Sequence, residues 1–167
     1  RGRLKFEEGQ ALDAAGSEAG ALGSYDAAQS QFEKDMALFP CYPEGFGVLG
    51  VVYGVRAQRG VPGALAKARD LIGTALKMRP GGREAAGDYN SMGNVNVIAG
   101  DLPGAVDAYL EALRCDPGNA EAALNACQLL MRLRDPKRAA GVLKGALRAN
   151  PGHPALLDLA RRLKVGP

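Results

Sequence analysis

The chain has no tryptophan and only one histidine, and aromatic residues make up just 5% of its 167 positions. A core of this composition must be built from Ala, Leu and Val, of which Ala and Leu favour helix strongly. Alternating runs of Val, Ile, Thr or aromatic residues between turn dipeptides are missing, which argues against a sheet. An all-α fold is therefore expected. The three cysteines, Cys41, Cys115 and Cys127, are far apart and form neither a CxxC nor a Cys/His cluster. That pattern excludes a disulfide framework and a zinc site and suits a reducing, cytoplasmic setting. No apolar stretch reaches the length of a membrane span; the longest candidate runs only from Phe46 to Val55. A leader segment is not visible, and the start at Arg1 rather than Met suggests a fragment.

Catalytic groups are equally scarce. His153 stands in the turn sequence Asn150-Pro151-Gly152-His153-Pro154, and neither GxGxxG nor GxxxxGK[ST] occurs. Gly45, Gly47, Gly50 and Gly54 are numerous but fall within one expected helix with no strand before it, so they read as close helix contacts. With no acid, base, nucleophile and pocket converging, the chain is not expected to be an enzyme or to hold a cofactor or metal.

What is present is a repeat. Ala105, Tyr109, Ala112 and Pro117 share their spacing with Ala139, Leu143, Ala146 and Pro151, and with Ala68, Ile72, Ala75 and Pro80. Ala28, Phe32, Asp35 and Pro40 follow the same spacing, with Asp in place of a small residue. The first halves carry Phe46-x-x-Leu49-Gly50-x-x-Tyr53, Tyr89-x-x-Met92-Gly93-x-x-Asn96, Ala123-x-x-Ala126-Cys127-x-x-Leu130 and Leu12-x-x-Ala15-Gly16-x-x-Ala19. Gly100-Asp101-Leu102 and Gly23-Ser24-Tyr25 supply turns between halves. Small residues let paired helix axes touch, with Gly50 and Gly93 expected to face Ala68 and Ala105 while large residues fill the space beside them. The four prolines stand 40, 37 and 34 residues apart. The surplus falls near Arg56 to Gly63, as a longer loop or a longer first helix, and near Gly81 to Ala85.

These residues resemble the tetratricopeptide repeat family, over about residues 9 to 153. The resemblance implies a single right-handed α-solenoid of about four helical hairpins, at 9–42, 43–82, 86–119 and 120–153. A capping helix at 154–165 would carry Leu156, Leu157, Leu159, Ala160 and Leu163 as its buried stripe. It also implies that the first helix of each hairpin lines a concave groove. By offset from the packing motif, groove positions are Asn90, Asn94, Val97 and Ile98, then Leu124, Asn125, Gln128, Met131 and Arg132. Earlier repeats contribute Glu44, Gly47, Val51 and Gly54, and Asp13 and Ser17.

Amides can donate to and accept from a peptide backbone, and Asn is a mediocre helix former, so Asn90, Asn94, Asn125 and Gln128 suggest an extended protein segment as ligand. Val51, Val97, Leu124 and Met131 would add apolar pockets, and Arg132 a cation. The basic groove set with which some members hold acidic chaperone tails is missing. Acids at Asp13, Glu44 and Glu121 point instead to a neutral or mildly basic partner. The net charge of +3 hides an asymmetry: Gln128 to Pro167 holds nine Lys or Arg against two acids. Lys137, Arg138, Lys144, Arg148, Arg161, Arg162 and Lys164 could meet nucleic acid or an acidic surface, though nucleic acid is disfavoured because aromatics are missing there. A docking or regulatory part of a larger multidomain protein, such as an enzyme, and self-association are further expectations.

Overall fold

The computed structural model describes residues 2–39 and 41–164. Among them the chain forms nine α-helices and no strand: α1 (Gly2–Ala14), α2 (Glu18–Leu38), α3 (Pro43–Gln58), α4 (Ala64–Met78), α5 (Ala85–Ile98), α6 (Leu102–Cys115), α7 (Ala120–Arg132), α8 (Pro136–Ala149) and α9 (Pro154–Leu163). Two compact units result, Arg1–Met78 and Arg79–Pro167. Consecutive helices pair as α1 with α2, α3 with α4, α5 with α6 and α7 with α8. This is the all-α hairpin array that the repeat predicts.

Local signals explain the boundaries. Proline opens α3, α6, α8 and α9 within their first two positions, where its missing N–H matters least. The side chains of Asp101, Asn119 and Asp135 accept backbone N–H groups of Gly104, Ala122 and Arg138, each at 3.0 Å. The turns into α2 and α6 contain glycine at positive φ, Gly16 and Gly100. The turn into α8 has Arg134 there instead, at φ 59°. That conformation costs a residue with a Cβ about 1–2 kcal/mol.

Packing follows the small-large-small template. In the first unit Ala68, Ile72 and Ala75 are fully buried, and a Cβ added to Gly50 would lie 2.5 Å from Ile72 Cγ1 and 3.3 Å from the Ala68 carbonyl oxygen. In the second unit Ala105, Tyr109 and Ala112 join Val106, Ala126, Leu129, Leu130 and Ala139 in the buried core. Gly93 lies against the Tyr109 ring rather than Ala105, because the aromatic side chain fills the space a Cβ would need. Ala123, Cys127, Leu143, Ala146, Leu156, Leu159 and Ala160 form the next cluster. The cap α9 thus closes the array with Leu156, Leu159 and Ala160 buried, Leu163 packed against them and Leu157 only half-buried. It ends at Leu163; Val165, the last residue expected in it, and Pro40 lie outside the described residues.

The first hairpin is displaced from its expected register. Leu12 to Ala19 do not form a first helix, because the turn Ala15–Gly16–Ser17 interrupts them, and Gly23-Ser24-Tyr25 lies inside α2. The closely packed glycine is Gly9, whose added Cβ would sit 2.7 Å from the Tyr25 ring. The template positions are Ala21, Tyr25 and Ala28, all buried. Seven residues are close to two helical turns, so Ala28, Phe32 and Asp35 lie on nearly the same face. α2 is long enough, at 21 residues, to carry both sets. Elsewhere the extra residues divide among a longer α3, the turn at 59–63 and the stretch 79–84 that leads into α5.

Candidate functional site

The asparagines singled out by the repeat offset meet in the second unit. Asn90 and Asn94 lie one turn apart on α5, Asn90 buried at 5% exposure and Asn94 exposed. Asn125 approaches from α7, its Nδ2 donating to Asn90 Oδ1 at 3.1 Å and, more weakly, to Asn94 Oδ1 at 3.4 Å. The hydroxyl of Tyr109, on α6, donates to the same Asn94 oxygen at 2.7 Å. Burial, and secondarily the charge of Glu121, push the Tyr109 hydroxyl up to about 12, so it stays a protonated donor at neutral pH. Both N–H groups of Asn125 are therefore engaged. The Nδ2 of exposed Asn94 and the Oδ1 of half-buried Asn125 have no partner among the described residues, leaving a donor and an acceptor side by side.

Gln128, Met131 and Arg132 continue along α7 as exposed side chains. Two expected apolar contacts are largely committed inward. Val97 packs on the cluster around Tyr109 and Leu130, and Leu124 on that around Leu143 and Leu156. Met131, 38% exposed, is the apolar side chain still offered at this surface. Val51 is half-buried on α3 in the other unit.

The acids expected to favour a basic ligand are mostly answered within the chain. Asp13 accepts the Tyr25 hydroxyl at 2.8 Å and pairs with Arg59 at 2.5 Å. Glu44 pairs with Arg3 at 3.3 Å and accepts the Tyr42 hydroxyl at 3.2 Å. Glu121 is exposed. Ser17 stands at the N-terminal cap of α2, outside any groove helix.

The sequence reading missed Tyr109 as a site residue. It assigned the ring to packing, yet Tyr25 and Tyr109 occupy one template position and both donate to a first-helix side chain, Asp13 and Asn94. A tyrosine where phenylalanine would pack as well was the available signal.

The remaining chemistry is structural. Cys127 is fully buried, its Sγ 3.4 Å from the Ala139 carbonyl oxygen. Burial pushes its thiol up to about 11 from an ordinary 9.0. A raised pKa stabilises the fold fully below pH 9, and the benefit is lost as pH rises toward 11 because only the unfolded thiol ionises readily. Between pH 8 and pH 10 the wild type should therefore lose about 1 kcal/mol more stability than Cys127→Ala. Urea unfolding at both pH values checks this; an unchanged difference would mean the thiol is not desolvated. Among the described residues no group of three His, Cys, Asp or Glu is arranged to hold a metal, and no helix is long and apolar enough to cross a membrane.

The comparisons agree with this architecture. Residues 97–163 match the family model described as tetratricopeptide repeat. Among solved structures, a thermophilic TPR protein of Thermus thermophilus is similar at 18% identity and a TM-score of 0.66, over 99% of this chain and 100% of that one. The Cut9–Hcn1 hetero-tetramer of the APC/C is similar at 16% and 0.65, over 98% of this chain and 36% of that one. MamA is similar at 18% and 0.58, over 89% and 77%. None of the curated proteins matches the chain.

Proposed function

We propose, starting from tetratricopeptide repeats at residues 97–163, that the chain is a protein-interaction scaffold whose α5–α7 face receives an extended segment of a partner protein. The observation that carries this reading is the amide cluster. Asn94 and Asn125 come from two different first helices, and together they present an unengaged donor and an unengaged acceptor at the surface. An extended main chain offers the complementary pair at each residue. Tyr109 and buried Asn90 hold the two amides in place, so little side-chain entropy is lost on binding. Exposed Gln128 and Met131 extend the surface by one polar and one apolar contact. Side-chain specificity at this face is modest, because Val97 and Leu124 are turned to the interior.

A random peptide library displayed on phage and selected on the intact chain tests the reading. Selected peptides should bind Asn94→Ala/Asn125→Ala roughly tenfold or more weakly, since two hydrogen bonds at about 0.5–1.5 kcal/mol each are lost. Its melting temperature should fall by several degrees, because the buried Tyr109 hydroxyl and Asn90 oxygen lose their partners, so affinities are compared well below both transitions. Equal affinity for both proteins would remove this face as the site.

A further inference from the structure

The turn between α7 and α8 shares its hydrogen-bonded plan with the turn between α5 and α6 but presents a different surface. In the earlier turn Asp101 N–H donates to the Asn96 carbonyl at 2.9 Å, Gly100 takes φ 80° and Asp101 caps α6. In the later one Asp135 N–H donates to the Leu130 carbonyl at 2.8 Å, Arg134 takes φ 59° and Asp135 caps α8. Position by position, Ile98, Ala99, Gly100, Pro103 and Gly104 become Arg132, Leu133, Arg134, Lys137 and Arg138. Four cations and a leucine thus stand where the sister turn has none. One cation occupies the left-handed position that glycine fills in the sister turn.

All five side chains are exposed, as is Met131. Leu133 and Met131 are among the few large apolar residues left open to water, at 41% and 38%. Of the four cations, only Arg138 has an acid within 4 Å among the described residues, Asp135 at 3.9 Å. The result is a basic surface with two apolar side chains at one end of the hairpin.

We propose that this turn docks an acidic protein segment in which carboxylates alternate with apolar residues. The cations answer the carboxylates, and Met131 and Leu133 answer the apolar positions. A single-stranded nucleic acid would want aromatic platforms, and no Phe, Trp or Tyr follows Tyr109 in the chain. A membrane surface would want the long apolar face of an interfacial helix, and two side chains at a turn do not supply one. This proposal does not depend on the amide face, although the two surfaces adjoin at Met131 and Arg132.

Fluorescence anisotropy with the full chain and a labelled peptide of five Glu-Glu-Leu repeats, against its Gln-Gln-Leu twin, tests it. The Glu peptide should bind about tenfold tighter or more at roughly 50 mM NaCl, and the preference should vanish near about 500 mM. Arg134→Gly is the informative variant, because glycine relaxes the turn while removing the charge. It should melt about 2–4 °C higher and bind the Glu peptide roughly 1.5–5-fold more weakly. Arg132→Gln/Arg134→Gly/Lys137→Gln/Arg138→Gln should bind both peptides alike, and Asn94→Ala/Asn125→Ala should keep the full preference. Equal affinity of the wild type for the two peptides would overturn the proposal, as would an unaffected fourfold variant or loss of preference in the asparagine variant. Tighter binding of oligo(dT), or of phosphatidylserine-containing vesicles, than of the Glu peptide would also overturn it.

Discussion

Replacing Gly50 by leucine is expected to destabilise the first unit by about 3 kcal/mol or more, at the upper end for overpacked cores. A single added Cβ would already lie 2.5 Å from Ile72 Cγ1, 3.2 Å from the Ile72 amide nitrogen and 3.3 Å from the Ala68 carbonyl oxygen. The isoleucine tip can rotate, but the backbone atoms can give way only if α3 and α4 separate. Gly73 provides the opposite sign in the same unit. Nothing lies within 4 Å of its added Cβ, so Gly73→Ala should stabilise by about 0.5–1 kcal/mol through helix propensity. Urea unfolding of both variants checks the pair. If Gly50→Leu lowers the midpoint no more than an ordinary surface change, the helices do not close at this contact.

Leu143→Ala should remove about 2–5 kcal/mol from the second unit, the range for emptying a fully buried leucine site. Leu143 has no exposed surface and sits among Ala123, Cys127, Ala146, Leu156 and Leu159. Its fully buried neighbours from α7, Ala123 and Cys127, are small and cannot reach into the void, which places the loss toward the upper part of that range. The cap depends on the same contact, since Leu156 and Leu159 of α9 rest on this cluster. Exchange of α9 backbone amides should therefore accelerate together with the fall in stability. Leu157→Ala, at a half-buried position of the same cap, should have a clearly smaller effect. Equal losses at the two leucines would contradict the assignment of the buried stripe.

The sequence made the second unit legible because its signals are redundant. Asp101, Asn119 and Asp135 mark helix starts, and Ala105-Tyr109-Ala112 and Ala139-Leu143-Ala146 mark the buried faces. The first hairpin lies two helical turns from its expected register for a physical reason. A seven-residue shift along α2 leaves Ala28 in both templates and keeps Tyr25 and Phe32 on one face, so the periodicity alone does not choose between them. Proline spacing favours the register that ends at Pro40, and Asp35 in a small-residue position argues against it. At the site, spacing placed Asn90, Asn94 and Asn125 on related helices but did not reveal that Asn125 spends both N–H groups within the cluster. The engagement of Asp13 by Tyr25 and Arg59, and of Glu44 by Arg3, was also invisible, because these partners lie 12, 46 and 41 residues away in sequence.

The position of Tyr109 ties stability to recognition. Its ring occupies the space beside Gly93, and its hydroxyl fixes Asn94. A side chain at residue 93 would displace the ring and with it the surface amide, so packing and binding at this face stand or fall together.

The side-chain amide resonances of the 15N-labelled chain, followed while a library-selected peptide is added, test the central claim most directly. The Asn94 and Asn125 pairs should shift progressively with peptide. Those of Asn119 and Asn150, which are tied to a helix cap and to the Gly118 carbonyl, should stay in place. Saturating peptide that leaves Asn94 and Asn125 unmoved would contradict the account.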